Sequence, residues 1–245
     1  MPSRPVSRIT GAQLPVSLSR TKPPCRALHA LGQLPAPGTP SVAIVGSRTP
    51  GASGEHMAYE IAWAVARAGG CVVSGMARGI DRAAHRGALD AAGLTVGVLG
   101  SGLEAIGTRT ARELALRIGE RGAVLSEYAA GMAARPYTFV ERNRIIAALA
   151  PVTLVVEAGA RSGALITAGF ALDLGHVVAA VPGDPRRPTC RGSNRLLRDG
   201  APVITEAADL LALLGLAAAP GAEAPEPPGL DPAERKVWRA LAQRG

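Results

Sequence analysis

The chain alternates between short apolar runs and longer segments whose apolar residues recur at helical spacing. From residue 41 onward the apolar runs cover residues 42–45, 71–73, 95–99, 123–125, 152–156 and 177–181. The helical segments cover residues 54–68, 80–92, 109–119, 142–149 and 163–174. Because the runs are apolar throughout rather than alternating, they predict strands that are covered on both faces. This alternation of strands and helices predicts an α/β fold with a doubly wound, mostly parallel sheet and helices on both faces.

The two ends of the chain differ from this central part. Prolines punctuate the first 40 residues, which are predicted to be an irregular lead-in with room only for a short helix over residues 25–34. A helix over residues 206–214 is expected to close a core domain of residues 41–215. The next stretch, residues 216–230, is rich in Ala, Pro, Gly and Glu, which is typical of a linker.

Beyond that linker, residues 231–243 predict one amphipathic helix, with an Asp cap and Pro at its first position. A single amphipathic helix cannot bury its apolar face alone. It is therefore expected either to dock on the core or to begin a small domain that the chain does not complete.

Composition adds a large excess of arginine. The chain is 47% hydrophobic, which is enough for a core, and its 27 Lys+Arg exceed its 19 Asp+Glu to give a net charge of +8. All but two of the 27 cations are arginines. The planar guanidinium group suits phosphate, so this balance favours a nucleic acid or another anionic partner. The alternative is a GC-rich genome that encodes most cations as arginine, in which case the total charge indicates no partner.

Several classes of protein are disfavoured. No apolar run reaches about 18 residues without a charge or a helix breaker, so no membrane span is predicted. No apolar signal core follows the basic start, and a cytoplasmic protein is expected. The three cysteines are widely spaced and the histidines are scattered, so neither a disulfide framework nor a metal site is expected.

The candidate chemistry lies where the predicted strands end. In a doubly wound sheet the loops at the carboxyl ends of the strands form the ligand site. Glycines there expose backbone N–H groups, helix N-termini add partial positive charge, and serine and arginine side chains donate further hydrogen bonds. Such loops predict a site for an anion, with phosphate as the leading candidate; the simpler interpretation is that the glycines only make tight turns. The residues are Gly46, Ser47, Arg48, Ser74, Gly75, Arg78, Gly79, Gly100, Gly102, Arg161, Ser162 and Gly163.

The loops lack the signatures of nucleotide-dependent enzymes. The first glycine is followed by Ser-Arg rather than by G-x-G-x-x-G, and no G-x-x-x-x-G-K-[ST] occurs. No cofactor is therefore expected. Asp81 and His85, four residues apart on a helix, could make an acid/base pair, and Glu127 and Glu157 end two strands. Since such residues more often cap or pack, no catalytic residue is assigned.

One helical segment carries an unusual basic start. Arg142, Asn143 and Arg144 precede an apolar stripe and are placed at the beginning of the predicted helix over residues 142–149. Two arginines at a helix N-terminus are unfavourable next to the positive end of the helix dipole. Contact with an anion would offset this repulsion. The alternative is an ordinary solvated face.

Taken together and in order, these motifs resemble the DprA/Smf family of DNA-processing proteins. The resemblance covers about residues 23–214. The matching stretches are VAIVGSR (42–48), SGMARGIDRAAHRGAL (74–89), VLGSGL (98–103), LSEY (125–128), FVERNRIIAAL (139–149), VVEAGARSGALITAGFAL (155–172), VPGD (181–184) and GSNRLLRDGA (192–201).

The resemblance implies an extended Rossmann-like core that binds single-stranded DNA, protects incoming DNA, forms a homodimer and loads the RecA recombinase in natural transformation, without catalysis. It also implies that residues 231–245 are the first helix of a winged-helix module that is cut short. Departures occur at residues 104–107, where the family usually has an acidic residue and Tyr-Pro. By position, the binding motifs of the family fall on Gly46, Ser47, Arg48, Ser74, Gly75, Gly79, Arg142, Asn143, Arg144, Ser162, Gly163 and Thr167.

Two other hypotheses stay open at this point. The first is a small nucleotide hydrolase similar to the LOG-like phosphoribohydrolases, whose signature P-G-G-x-G-T-x-x-E ends in a glutamate; the comparable residues 161–167 contain none. The second is a structural dimer with an incidental phosphate pocket. A dimer surface is predicted on the apolar stripe of Leu165, Ile166, Phe170 and Leu174. With only 3% aromatic residues, DNA binding is expected to depend on the phosphate backbone rather than on base stacking.

Overall fold

The apolar runs form the strands of one eight-stranded sheet in the computed structural model, which describes residues 6–219. The strands are β1 (Val6–Thr10), β2 (Ala27–Gly32), β3 (Ser41–Val45), β4 (Cys71–Ser74), β5 (Leu94–Leu99), β6 (Ala123–Ser126), β7 (Val152–Val155) and β8 (Val177–Ala180). The α-helices are α1 (Ala52–Arg67), α2 (Ile80–Asp90), α3 (Arg109–Arg121), α4 (Pro136–Ala148), α5 (Gly163–Asp173), α6 (Arg191–Arg198) and α7 (Ala207–Leu214).

The strand order is β1-β2-β6-β5-β4-β3-β7-β8. The six strands β6, β5, β4, β3, β7 and β8 run parallel to one another. Strands β1 and β2 add an antiparallel edge. From β3 the chain winds outward through β4, β5 and β6, and then returns to the other side of β3 to form β7 and β8. The predicted α/β class, with a doubly wound and mostly parallel sheet, is confirmed. The winding reverses between β3 and β7, and ligands of such sheets bind at this reversal point.

Helices cover both faces of the sheet. Because successive side chains of a strand point to opposite faces, each of the six parallel strands contributes to two clusters. In β3, Val42 and Ile44 pack with residues of α1, α2 and α7. The alternate residues Ala43 and Val45 pack in a second cluster with residues of α4 and α5. Each fully buried Val or Ile side chain, such as Val42 and Ile44, contributes about 1.5–3 kcal/mol relative to an exposed one.

The first 40 residues depart from the prediction. They contribute β1 and β2 to the sheet, and the helix predicted over residues 25–34 is wrong because β2 occupies that stretch. Leu28 and Ala30 are fully buried while their neighbours are less so, which is the period of a strand. Tertiary pairing decides the outcome, since β2 lies antiparallel to β6 from His29 opposite Ser126 to Gly32 opposite Ala123. The boundary at residue 41 is thus inside the sheet-forming part of the chain.

Helix α4 begins six residues earlier than predicted, at Pro136 instead of Arg142. Proline is preorganised for the first position of a helix. The Thr138 hydroxyl then accepts a hydrogen bond from the backbone N–H of Arg135 at 3.0 Å and closes the first turn. Arg142 and Arg144 therefore lie in the middle of the helix and are buried, so the argument that they oppose the dipole at a helix start is wrong.

At the other end, α7 matches the helix predicted over residues 206–214 within one residue. Most of the predicted linker and the whole helix predicted over residues 231–243 lie outside the described residues. Among the helices of residues 6–219, none has the length and apolar character that a membrane span requires.

Candidate functional site

A cavity of about 490 Å³ opens at the carboxyl ends of β3 and β7, where the winding of the sheet reverses. One wall comes from the loop after β3 and another from the start of α5, while α4 supplies the side that faces them. Seven of the residues predicted from the strand-end loops and family motifs line it together: Gly46, Arg48, Arg142, Asn143, Ser162, Gly163 and Thr167.

The start of α5 is built to present backbone donors. Ser162 is the cap residue, and its hydroxyl accepts a hydrogen bond from the N–H of Ala164 at 3.3 Å. Asn143 donates from Nδ2 to the carbonyl of Gly163 at 3.2 Å and so ties α5 to α4. The N–H groups and partial positive charge at a helix start favour an anion. An anion-binding role of this segment therefore stays a prediction, and the segment lines the cavity with its first turn.

Arg48 and Phe139 lie side by side in the lining of the cavity. The Arg48 guanidinium lies 5.3 Å from the centroid of the Phe139 ring, and that of Arg142 lies 6.0 Å from the same centroid. Arg48 is exposed, and no ion pair involves it within residues 6–219. An exposed, unpaired guanidinium beside an aromatic face can contact both a phosphate and a base.

Arg142 is the cation in the interior of the site, with 4% of its surface exposed. Its Nη1 donates to the carbonyl of Gly75 at 2.5 Å and also to the carbonyl of Val98. It therefore joins the loop after β4 to strand β5. Burial lowers the pKa of Arg142 to about 10, although the nearby Asp81 acts in the opposite direction. The guanidinium stays charged at neutral pH and adds positive potential beneath the cavity.

Asp81 and His85 do not form an acid/base pair open to a ligand. Oδ2 of Asp81 accepts hydrogen bonds from the N–H groups of Gly75 and Ala77 at 3.1 and 3.3 Å. Burial raises the pKa of Asp81, while Arg142 acts to lower it. His85 is fully buried, with Nδ1 2.7 Å from Oγ1 of Thr95. Burial and the charge of Arg142 lower its pKa to about 3, so the imidazole is neutral.

The two strand-end glutamates are held by different partners. Nη2 of Arg144 reaches both carboxylate oxygens of Glu127, at 2.7 and 2.8 Å. The buried Glu157 accepts from the N–H of Gly51 at 3.1 Å and lies 3.7 Å from Nη2 of Arg187. Each carboxylate thus has its own structural function at the sheet edge.

Several predicted residues lie outside the cavity. Arg144 is buried and bonds to Glu127 and to the carbonyl of Pro23, and the Ser74 hydroxyl donates to the carbonyl of Ile44 at 2.6 Å. The backbone N–H of Ser47 donates to the carbonyl of Glu157 at 2.6 Å. Arg161 is exposed in the loop before α5 without lining the cavity. These side chains build or flank the edge rather than face a ligand in the cavity.

The predicted glycines of the other loops shape the backbone. A second cavity of about 570 Å³ adjoins the first, shares Arg48 and Phe139 with it, and is lined by Gly75, Arg78 and Gly100. Gly79 has a φ of +77°, which strains most other residues. A Cβ atom on Gly102 would lie 1.9 Å from the carbonyl oxygen of Ala129, so close packing explains this glycine.

Sequence reasoning missed Phe139 as a site residue. The available signal was spacing, because residues three apart on a helix share a face and Phe139 precedes Arg142 by three. The error in the start of α4 hid this signal.

Comparisons with known proteins agree with this fold. A family model described as DNA recombination-mediator protein A matches residues 6–215. Protein Smf of Escherichia coli is 40% identical over 186 residues, which are 76% of this chain and 50% of that protein. The chain spans about half the length of the curated relatives it matches first.

Two solved structures are similar over 84% of this chain. DNA processing protein A from Streptococcus pneumoniae superposes with a TM-score of 0.80 at 34% identity, over 74% of its own chain. DNA processing protein A from Helicobacter pylori, whose structure is described by its single-stranded DNA binding mode, superposes with a TM-score of 0.76 at 27% identity, over 95% of its chain.

Proposed function

Because the chain belongs to the family of DNA recombination-mediator protein A, we propose that it binds single-stranded DNA in the cavity between α4 and α5. One observation carries this proposal: the exposed Arg48, the charged interior Arg142 and the amino end of α5 converge on the same cavity. Each of them favours negative charge, and a DNA strand supplies one at every phosphate. The DNA binding of a relative from Helicobacter pylori supports the choice of ligand.

The cavity suits a bound strand whose phosphates dominate the contact. A phosphate would lie against Arg48 and the first turn of α5, and the Phe139 ring would offer one face to a base. One ring is a small stacking surface compared with proteins that stack successive bases, each worth about 1–3 kcal/mol. Binding should therefore tolerate any sequence and weaken steeply with salt.

The test is a titration of labelled oligo-dT with the unaltered chain and with Arg48→Ala, at several salt concentrations. We expect Arg48→Ala to weaken binding several-fold and to reduce the slope of log affinity against log salt by about 0.7, the value for one phosphate contact on a single strand. Arg67→Ala is the matched control, because Arg67 is exposed in the last turn of α1 at the opposite edge of the sheet. Absence of binding by the unaltered chain at low salt would overturn the proposal, and an unaltered slope in Arg48→Ala would remove Arg48 from the site.

We propose further that the chain acts in the cytoplasm as a recombination mediator that protects incoming DNA and loads RecA. The description of its family as a mediator supports this role. RecA nucleation on single-stranded DNA, followed by electron microscopy with and without the chain, provides the test. More and longer RecA filaments are expected with the chain, and equal filament counts would overturn this part.

A homodimer is also proposed. Of the predicted apolar stripe, Leu165, Phe170 and Leu174 pack against the core, whereas Ile166 is 40% exposed. Light scattering should give twice the mass of one chain, and Ile166→Asp should shift it toward a single chain if the stripe forms the interface. A single-chain mass for the unaltered protein would overturn the dimer.

The nucleotide-hydrolase alternative is not favoured. Among residues 6–219, Asp81 is the one carboxylate that lines the cavity, and it is 7% exposed and engaged by two backbone N–H groups. A LOG-like hydrolase would need a glutamate there that can exchange a proton with its substrate. Incubation with nucleoside monophosphates should release no base.

A further inference from the structure

A second groove, of about 730 Å³, runs between α2 and α3 and adjoins the cavity described above. We call it the α2–α3 groove. Arg48 lines both spaces, and Arg78 and Arg82 line this groove and the adjoining cavity of Gly75 and Gly100. The lining of the α2–α3 groove is rich in arginine, with Arg48, Arg78, Arg82, Arg86 and Arg117.

The carboxylates of this groove are already neutralised. Glu55 is 2.5 Å from Arg86, and Glu113 is 2.7 Å from Arg109. Arg117 pairs with Asp90 at 3.1 Å, and both of those side chains are substantially exposed, so that pair is weak.

The remaining cations of the groove have no such partner. Arg48, Arg78 and Arg82 make no ion pair within the described part of the chain. The Nε atoms of Arg82 and Arg86 are buried without a hydrogen-bond partner among those residues, so only the outer N–H groups of these side chains are open to the groove. A guanidinium that is partly removed from water without a partner is destabilising, and an anion in the groove would relieve that cost. The α2–α3 groove is therefore lined by positively charged side chains that have no ion-pair partner among the described residues.

We infer that the α2–α3 groove holds the continuation of the DNA strand after it leaves the cavity at Arg48. This inference rests on the proposed function. Arg78, Arg82 and Arg117 contact successive phosphates there. Among the residues that the structure describes, no aromatic side chain lines the groove, so none of them stacks on bases in this part of the strand. The strand is thus held in two ways, by phosphate and base at Phe139 and by phosphate alone between α2 and α3.

The test compares two lengths of oligo-dT, one of about two nucleotides, matched to the cavity of about 490 Å³, and one of about twenty that also spans the groove. The variant Arg82→Gln/Arg117→Gln removes one groove cation from each helix and keeps polar side chains. We expect it to bind the short oligonucleotide like the unaltered chain. For the long oligonucleotide we expect roughly tenfold weaker binding at low salt and a salt slope lower by about 1.4, as for two lost phosphate contacts.

The matched control is Arg67→Gln/Arg121→Gln, which removes the same charge from the last turns of α1 and α3 at the opposite edge. Melting temperatures of both variants verify the fold, since all four side chains reach solvent. The inference alone would be overturned if the groove variant lost equal affinity for both oligonucleotides. It would also be overturned if the variant lost no more affinity for the long oligonucleotide than the control does. Failure of the unaltered chain to bind either oligonucleotide would overturn the proposed function and the inference with it.

Discussion

Two sets of arginines lie at the same edge of the sheet and have opposite surroundings. Arg142 and Arg144, on α4, are 4% and 3% exposed and are bonded to carbonyls and to Glu127. Arg48 and Arg78, on loops, are exposed and make no ion pair within residues 6–219. The first set holds the loops in place, whereas the second is free to contact a ligand. A net charge of +8 mixes these two populations and therefore does not by itself measure affinity for DNA.

The physical origin of this difference is desolvation. A buried guanidinium loses its hydration and is tolerated only where fixed partners replace the water. The carbonyls of Gly75 and Val98 do so for Nη1 of Arg142, whose buried Nε has no partner among the described residues, and the two carboxylate oxygens of Glu127 do so for Nη2 of Arg144. The N–H groups of Arg142 and Arg144 that reach those partners are already engaged. They are therefore unavailable to an anionic ligand. Only a solvated cation such as Arg48 can exchange water for phosphate.

The substitution Arg142→Met is the strongest test of the difference between the two sets of arginines. Removing the guanidinium leaves the carbonyl of Gly75 without a buried donor and Asp81 without its neighbouring cation. We expect a loss of about 3–5 kcal/mol in the free energy of unfolding, as for two lost hydrogen bonds from a buried charged group. Urea denaturation measures it, with Arg161→Met as the exposed control, which is expected to change stability by less than about 0.5 kcal/mol. A loss below about 1 kcal/mol would show that Arg142 does not hold the loops.

The contrast between the two sets was only partly accessible from the sequence. The glycine-rich strand ends and the parallel core could be predicted, because period and composition are local properties. The burial of Arg142 could not, since it depends on where α4 begins, and Pro136 fixes that start through the Thr138 turn rather than through an apolar pattern. The same limit applies to β2, whose alternating burial arises from pairing with β6, almost 100 residues further along the chain.

The residues of the site likewise divide into those whose position could be predicted from the sequence and those whose position could not. Arg48 and Ser162 could be assigned to one edge, because parallel strands bring their loops together. Their separation from Ser74 and Arg144 could not be predicted, as each of those depends on a hydrogen bond to a distant residue: Ile44 for Ser74 and Pro23 for Arg144.

A smaller effect tests whether His85 stays neutral in its buried position. His85 has an ordinary pKa of 6.5, and burial together with the Arg142 charge lowers it to about 3 in the folded chain. Below pH 6.5 the unfolded chain binds a proton that the folded chain does not, so the stability contributed by neutral His85 is complete above that pH and is lost as pH falls toward 3. The slope is about 1.4 kcal/mol per pH unit for one proton.

The measurement is the free energy of unfolding of the unaltered chain and of His85→Gln between pH 7.5 and 4. Subtracting the two curves removes the contribution of Asp81, whose raised pKa acts in the opposite direction as the pH falls. We expect the unaltered chain to lose stability relative to His85→Gln with the slope given above. Parallel curves would mean that His85 has its ordinary pKa in the folded chain and that burial does not oppose its protonation.

The smallest expected effect belongs to the other set of arginines. Arg48→Ala should change the free energy of unfolding by less than about 0.5 kcal/mol, because an exposed side chain with no ion pair loses only solvent contacts and a weak contact with the Phe139 ring. The same variant is expected to show a large effect on oligonucleotide binding, so affinity and stability should separate at Arg48. At Arg142 they should fall together, since the loops that form the cavity depend on it. A substantial loss of stability in Arg48→Ala, measured in the same urea titration, would place Arg48 in the framework and leave the cavity without its one accessible unpaired cation among the residues that line it.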